Sequence, residues 1–193
     1  MNWYEKLSRY FPVEEMKSRE HIEALLKEKS DIYFKDEGEH HVLMYAELED
    51  FVFVDYLYVS KDSRGQGLGG KLIKKLKEKG KPIILEVEPI DEGDEDTAKR
   101  LRFYQRQGFH HAQSIGYKRR SLATNKINQM EILYWSPEDR SEEDIYNAMK
   151  RTYELIHTYR DVDWYGESYE EVHEVLEYEK KEKEEASIFD ELN

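Results

Sequence analysis

Residues 54–70, VDYLYVSKDSRGQGLGG, decide how this chain is read. An apolar, β-rich run is followed by a short polar link, by Arg64, and then by four glycines in six residues, Gly65, Gly67, Gly69 and Gly70. This is the pattern of a strand feeding an anion-binding loop. The next segment, about 68–79, puts Leu68, Leu72, Ile73 and Leu76 on one helical face and Lys71, Lys74, Lys75, Lys77 and Lys79 mostly on the other. Gly80 and Pro82 stop the helix. Its first turn holds no Asp or Glu, so its free amides and positive dipole end have no carboxylate of their own, and an external phosphate fits there.

Three phosphate-binding patterns overlap on this loop. Gly65, Gly67 and Gly70 satisfy GxGxxG, with Glu86 or Glu88 roughly 20 residues on, where a dinucleotide fold wants an acid for the ribose. Yet residues 60–63 separate the strand from the glycines, and no second alternating βα half follows. Residues 65–71 also satisfy GxxxxGK, but Leu72 stands where a magnesium-binding Ser or Thr belongs. The third pattern is Arg64-x-x-Gly67-x-Gly69. A second stretch, residues 100–109 (RLRFYQRQGF), carries a helix ending in Tyr104-x-x-x-Gly108-Phe109, the glycine serving as a helix C-cap.

Together, in this order and with one strand between them, the two stretches resemble the signatures of the GNAT superfamily of acetyl-CoA-dependent N-acetyltransferases. The resemblance covers about residues 17–135, and the whole chain looks like GNAT-type proteins of Gram-positive bacteria, a likeness that supplies no acceptor. It implies an α/β (α+β) fold with a mixed, mostly antiparallel central sheet flanked by helices. It implies a catalytic domain at 1–136 and leaves an acidic, mainly helical extension at 137–193.

Composition sets the outer bounds. The 193 residues contain no cysteine, which excludes disulfides, thiolate metal sites and a cysteine acyl relay and suits a cytoplasmic setting. No apolar run reaches the roughly 18 residues of a membrane span, and MNWYEKLSRY lacks a signal-peptide layout, so a soluble protein is expected. From residue 141 onward there are 17 Asp and Glu against 6 Lys and Arg; the remainder holds 26 against 24. The acidity therefore belongs to the tail, and nucleic-acid binding is disfavoured. The basic zone around the loop and the helix at 97–107 is either solvent face or a contact for nucleotide phosphates.

Along the chain, weak and stronger helices at 1–10 and 18–29 precede strands at 31–35, 41–48 and 51–59, with a turn around Gly38. His40 and His41 read as a turn-and-strand pair rather than a metal site, since no third ligand is spaced nearby, and no metal is expected. The apolar run 81–88 is a central strand whose Glu86 and Glu88 share a face by period two. Asp94 or Asp96 caps the helix that runs to Gln107. A hairpin with strands at 112–119 and 129–135 follows. In the extension, Ser141 caps a helix with an Ile145, Met149, Tyr153, Ile156 face, and Ser168 with Glu171 reads as a capping box for another. These faces pack on the chain's own domain, on a second copy, on a partner, or as a lid over the acceptor cleft.

Carried over residue by residue, the resemblance implies that backbone amides of Gln66, Gly67, Leu68, Gly69 and Gly70, with Gly65 and Arg64, hold the pyrophosphate. Main-chain groups of Leu57, Tyr58 and Val59 hold the pantetheine arm in a V-shaped opening between two strands. Thr97, Arg100 and Phe103 complete the coenzyme contacts, although Thr97 stands where the family often has Asn and Arg100 where it often has Ala. Tyr104 faces the coenzyme sulfur as the acid for the departing thiolate. An alkyl amine with a pKa near 10.4 needs a base, and a carboxylate raised by partial burial suits it. Glu86 is the first candidate, ahead of Glu88, Asp55 or a water chain. The expected activity is transfer of acetyl from acetyl-CoA to a primary amine of unknown identity. The alternatives are a non-catalytic acyl-CoA-binding protein with a partner-binding tail and a magnesium-dependent nucleotide binder.

Overall fold

The computed structural model describes residues 1–121, 123–180 and 186–192. In chain order it contains α1 (Trp3–Ser8), α2 (Arg19–Glu28), β1 (Tyr33–Gly38), β2 (His41–Glu47), β3 (Val52–Val59), α3 (Leu68–Lys77) and β4 (Ile83–Val87). Then come α4 (Glu95–Arg106), β5 (His110–His111), β6 (Ile115–Arg120) and β7 (Ile127–Trp135). The extension adds α5 (Glu142–Thr152), α6 (Asp161–Tyr165), α7 (Val172–Val175) and β8 (Leu176–Tyr178). The strands form one sheet in the order β1-β2-β3-β4-β7-β6-β8, with β5 beside β7. Only β3 and β4 pair in parallel among the described strands; every other pair is antiparallel.

Period-two alternation assigns the two faces of this sheet. Val52, Val54, Ile83 and Leu85 pack with Leu72, Ile73 and Leu76 of α3 and with Leu101 and Tyr104 of α4. Phe53 and Ile84 point the other way, into a cluster with Leu7, Ile22 and Leu25 of the first two helices. Ile145, Ala148, Met149, Tyr153 and Ile156 enter that same cluster, so the apolar face of the extension is covered by the chain itself. Strand β8 also completes the sheet edge, with Ile115 opposite Tyr178 and Tyr117 opposite Leu176.

Local signals placed several of these ends. The Ser141 side chain accepts from the Asp144 amide and the Asp144 carboxylate from the Ser141 amide, a capping box that starts α5. The predicted box at Ser168 and Glu171 is not formed. Tyr153 Oη donates to the Glu170 carbonyl at 2.7 Å and the Tyr169 amide to Asp161 Oδ2 at 2.9 Å, which hold residues 168–170 out of the helix. Helix α7 starts only at Val172, with Glu171 as N-cap. The expected turn around Gly38 is formed, at residues 39–40, with Gly38 paired to His41 across it. The sequence carries a charge run from Lys180 to Glu185, of which residues 181–185 lie outside the described residues.

One histidine ties the extension to the domain. His21 is buried on α2; its Nε2 donates to the Ile156 carbonyl at 2.9 Å, and Nδ1 accepts from Tyr165 Oη at 3.0 Å. The Tyr165 hydroxyl in turn accepts from the Ser18 amide. Burial, followed by the charge of Lys17, pushes the imidazole down to about 3. The fold therefore holds His21 neutral, while the unfolded chain takes up a proton near pH 6.5. Stability from this contact is complete above about pH 6.5 and is lost as pH falls toward 3. Thermal unfolding at pH 7 and pH 5 checks this: His21→Gln is expected to melt lower than the parent at pH 7 but to lose less between the two pH values.

Candidate active site

The parallel pairing of β3 and β4 lasts three residues, Val52 with Ile83, Phe53 with Ile84 and Val54 with Leu85, and then the strands part. Beyond that point β4 continues beside β7, and β3 beside β2. The β2–β3 register slips between Met44 and Tyr45, leaving Asp55 as an extra residue on β3, a bulge that re-aims the strand where the cleft opens. The unpaired inner edge of β3, around Leu57 and Val59, faces the cleft.

The glycine loop lies at the mouth. Gly65 and Gly67 have φ of +78° and +81°, a left-handed backbone that a side chain would strain, and Gly67 is the N-cap of α3. At Gly69 the reason is space: a Cβ there would come within 3.1 Å of Phe103 on α4. The first turn of α3 contains no acidic residue. Arg64 donates from Nε to the Val59 carbonyl at 3.1 Å, pairs with Asp96 at 3.2 Å and stacks 4.8 Å from the centre of the Tyr10 ring.

Between loop, β3 and α4 is a cavity of about 430 Å³. Leu57, Val59, Arg64, Gly65, Gly67, Leu68, Gly69, Gly70, Arg100, Phe103 and Tyr104 line it. Three expected coenzyme residues do not. Thr97 is buried with its hydroxyl donating to the Asp94 carbonyl at 2.7 Å and accepting from the Asp91 amide, so it anchors the acidic loop. The Tyr58 ring lies against Tyr10. Gln66 is exposed, and its side chain donates back to the Asp62 carbonyl. The walls also include Lys99 and Arg106, from the basic stripe of the helix at 97–107, and Tyr10, which the sequence reading did not name. Tyr10 comes from outside both motifs, and nothing local marks it.

Tyr104 is positioned by its own helix end. The Phe109 amide donates to the Tyr104 carbonyl at 3.1 Å, the Gly108 amide to the Gln105 carbonyl, and Gly108 has φ of +76°, the Schellman arrangement. The Phe109 ring then packs edge-on at 5.4 Å against Tyr104. Burial raises the phenol well above its usual pKa, keeping it protonated.

A second, smaller cavity of about 40 Å³ shares Leu57, Arg100 and Tyr104 with the first and continues behind the strand fork. Glu86 sits on the face of β4 opposite Leu85, and His157, at the end of the extension's first helix, reaches it: Nε2 to Oε1 is 2.6 Å. Burial alone would raise Glu86, but the His157 contact and then the charges of Arg119 and Lys17 outweigh it and hold the carboxyl at about 2. The expected raised carboxyl is thus not Glu86. It is Glu15, which burial and the adjacent Glu88 push up to about 9. Burial lowers His157 to about 4, so at neutral pH a neutral imidazole donates to an anionic Glu86. Asp55, a candidate base, has both oxygens occupied, one by Lys17 Nζ at 2.6 Å and one by Tyr33 Oη at 2.6 Å. Glu88 lies 3.7 Å from Arg100. Among the described residues no three His, Asp or Glu side chains converge in a metal-binding group.

The chain is similar to known proteins in sequence and fold. A family model described as an acetyltransferase (GNAT) domain matches residues 29–111. A curated protein of Bacillus subtilis (strain 168), "Putative acetyltransferase YjbC", is 72% identical over 193 residues, all of both chains. A solved GNAT-family protein of Bacteroides thetaiotaomicron superposes with a TM-score of 0.59 at 23% identity, covering 86% of this chain and 90% of that one; this shows the fold alone. The Escherichia coli ribosomal-protein-S18-alanine N-acetyltransferase gives 0.48 at 20% identity, covering 71% and 88%.

The Glu86–His157 contact makes a separable prediction. Truncating one partner strands the other in a buried site, so His157→Leu should lower unfolding free energy by roughly 3 kcal/mol. The Glu86→Leu/His157→Leu double variant should recover much of that loss, as read from urea midpoints in a double-mutant cycle.

Proposed function

The chain belongs to the GNAT acetyltransferase family, and from that premise we propose that it transfers the acetyl group of acetyl-CoA directly to a primary amine. The observation that carries this reading is the meeting of two cavities at Tyr104 and Leu57: a large one walled by the glycine loop and a small one walled by Glu86. One suits a long phosphate-bearing coenzyme and the other a small amine.

The cradle fits the coenzyme. Amides at the start of α3, left-handed glycines and the acid-free first turn suit a pyrophosphate, with Arg64, Lys99 and Arg106 supplying positive charge around it. The free edge of β3 offers main-chain groups to the amide-bearing arm and a donor to the thioester oxygen as charge grows there. When bound, acetyl-CoA supplies an acetyl group already activated as a thioester. Tyr104, protonated and lining both cavities, donates to the departing sulfur as the carbon–sulfur bond breaks. Glu86, anionic, attracts the acceptor's ammonium; the ammonium first releases one proton to solvent, the free amine attacks the thioester carbon, and Glu86 takes the second proton from the nitrogen as the new carbon–nitrogen bond forms and that nitrogen becomes acidic. No covalent acyl-enzyme is required, in keeping with a chain that has no cysteine.

Calorimetric titration with acetyl-CoA and release of free thiol across an amine panel test the reading together. Micromolar coenzyme affinity with amine-dependent thiol release is expected; its absence overturns it. Tyr104→Phe should lower kcat by about 100-fold, the low end of general acid catalysis, with coenzyme affinity retained. Gly67→Val, strained at φ of +81°, should lose coenzyme affinity. Because Glu86 stays ionised, the acid limb of kcat/KM should follow the acceptor's ammonium rather than a carboxylate.

A further inference from the structure

The small cavity contains a cation that the preceding reading does not use. Arg119 lies on β6, on the same face as Tyr117 by period two, and is only 6% exposed. Among the described residues its guanidinium makes no hydrogen bond, and no carboxylate oxygen comes within 4 Å of it; its neighbour is the Tyr169 ring at 5.7 Å. Buried arginines are ordinarily paired, because a desolvated charge without a partner costs several kcal/mol. The other cations of this cavity obey that rule: Lys17 is on Asp55 at 2.6 Å, and Arg100 is beside Glu88 at 3.7 Å.

The charges of the cavity can be followed one by one. Lys17 and Asp55 cancel, Arg100 faces Glu88, and Glu15 is protonated at neutral pH because burial and Glu88 push it up to about 9. His157 is neutral. What remains is one anion, Glu86, and one cation, Arg119, which line the same enclosed space without forming an ion pair. Glu86 Oε1 is taken by His157, and the Tyr117 hydroxyl lies beside the same carboxylate. Three further polar atoms of lining residues, Glu15 Oε1, Arg100 Nε and His157 Nδ1, are buried without a hydrogen-bond partner, as a site built for a polar guest leaves them. A fixed negative and a fixed positive group held apart in one small pocket are complementary to a molecule that carries the opposite charges at its two ends.

We propose that the acceptor is an amino carboxylate, a small zwitterion whose ammonium binds at Glu86 and whose carboxylate is held by the Arg119 guanidinium. The planar fork of arginine matches a carboxylate bidentately, which a point charge does not. The pocket's size of about 40 Å³ calls for a short molecule. A polyamine or a lysine side chain of a protein brings no carboxylate to this place, and neither does a peptide N-terminus. The inference deepens the acetyl-transfer reading and rests on it for the chemistry, though not for the binding.

The test uses the full chain and matched sets of acceptors: glycine, glycinamide and methylamine, and β-alanine with its amide and ethylamine. Thiol release from acetyl-CoA should favour the acids over their uncharged partners by about 100-fold or more in kcat/KM. Arg119→Gln should remove that preference by lowering the acids to the level of the amides, with acetyl-CoA affinity unchanged. Arg119→Lys, which keeps the charge but not the fork, should fall between; melting curves on both variants show whether the fold is kept. An arginine with a merely structural role would shift acids and amides alike. Amides or plain amines accepted as well as acids, or a preference that survives Arg119→Gln, overturns the proposal while leaving acetyl transfer standing. So does a preference for aminomethylphosphonate over glycine. Calorimetric binding of the amino acids, alone and with CoA present, decides the matter even if no transfer is seen: no binding, or binding indifferent to Arg119→Gln, overturns it. Failure to bind acetyl-CoA instead overturns the acetyl-transfer reading.

Discussion

Everything at the centre of this molecule depends on two parallel strands that stop pairing. A backbone amide or carbonyl taken from water must find a partner, so a sheet that opens internally is costly unless something else meets its edges. Here β3 and β4 separate after Val54 and Leu85, and each keeps one outer neighbour, β2 or β7. Only the two inner edges are released, and the space between them becomes the floor of both cavities. The bulge at Asp55 is the wedge: it falls at the last paired rung, and Lys17 and Tyr33 lock its carboxylate from two directions.

The cleft is closed by the two ends of the chain. Residues 10–17 supply Tyr10 to the large cavity and Glu15 and Lys17 to the small one. The extension supplies His157. Alternation along β4 sends Glu86 to the face where α2 and α5 pack, so the extension meets the carboxylate for the same reason that it meets Ile84. Its helices share a core with the first two helices, and their removal would expose that core and leave Glu86 without its donor. The extension is thus part of the site's construction. Burying this many charges does not by itself stabilise a protein, since desolvation offsets most of the Coulomb gain. Their value lies in fixing the position and ionisation of groups that a flexible, hydrated surface would leave variable.

Much of the fold was legible because its signals are local. The Schellman end at Tyr104, Gly108 and Phe109, the cap at Ser141 and the left-handed glycines at 65 and 67 are each determined within about five residues, and all can be read from spacing. The helix stripes and the strand alternation are equally local, and from them come the two faces of the sheet. What escaped was set by contacts far apart in sequence. Lys17 meets Asp55 across 38 residues, and His157 meets Glu86 across 71. The direction of the Glu86 shift could not be read beforehand, because burial and the positive neighbours oppose each other and the neighbours come from other elements. The Ser168 box failed for the same reason in reverse, its local signal overruled by Asp161 and Tyr153.

The two cavities differ in how they are specified. The large one is made chiefly from backbone: glycines that permit close approach, amides at a helix start, the free edge of a strand. Such features leave a recurring pattern in sequence, since only certain residues permit the conformation. The small one is made from side chains projected by β3, β4, α4, β6 and β7, by the segment before α2 and by the extension, and any chemistry can be installed there without disturbing the strand fork. A likeness to a family therefore speaks to the first cavity and is silent on the second. The acceptor's nature has to be inferred from individual charges, and among those Arg119 and Glu86 are the pair that the rest of the cavity leaves uncancelled.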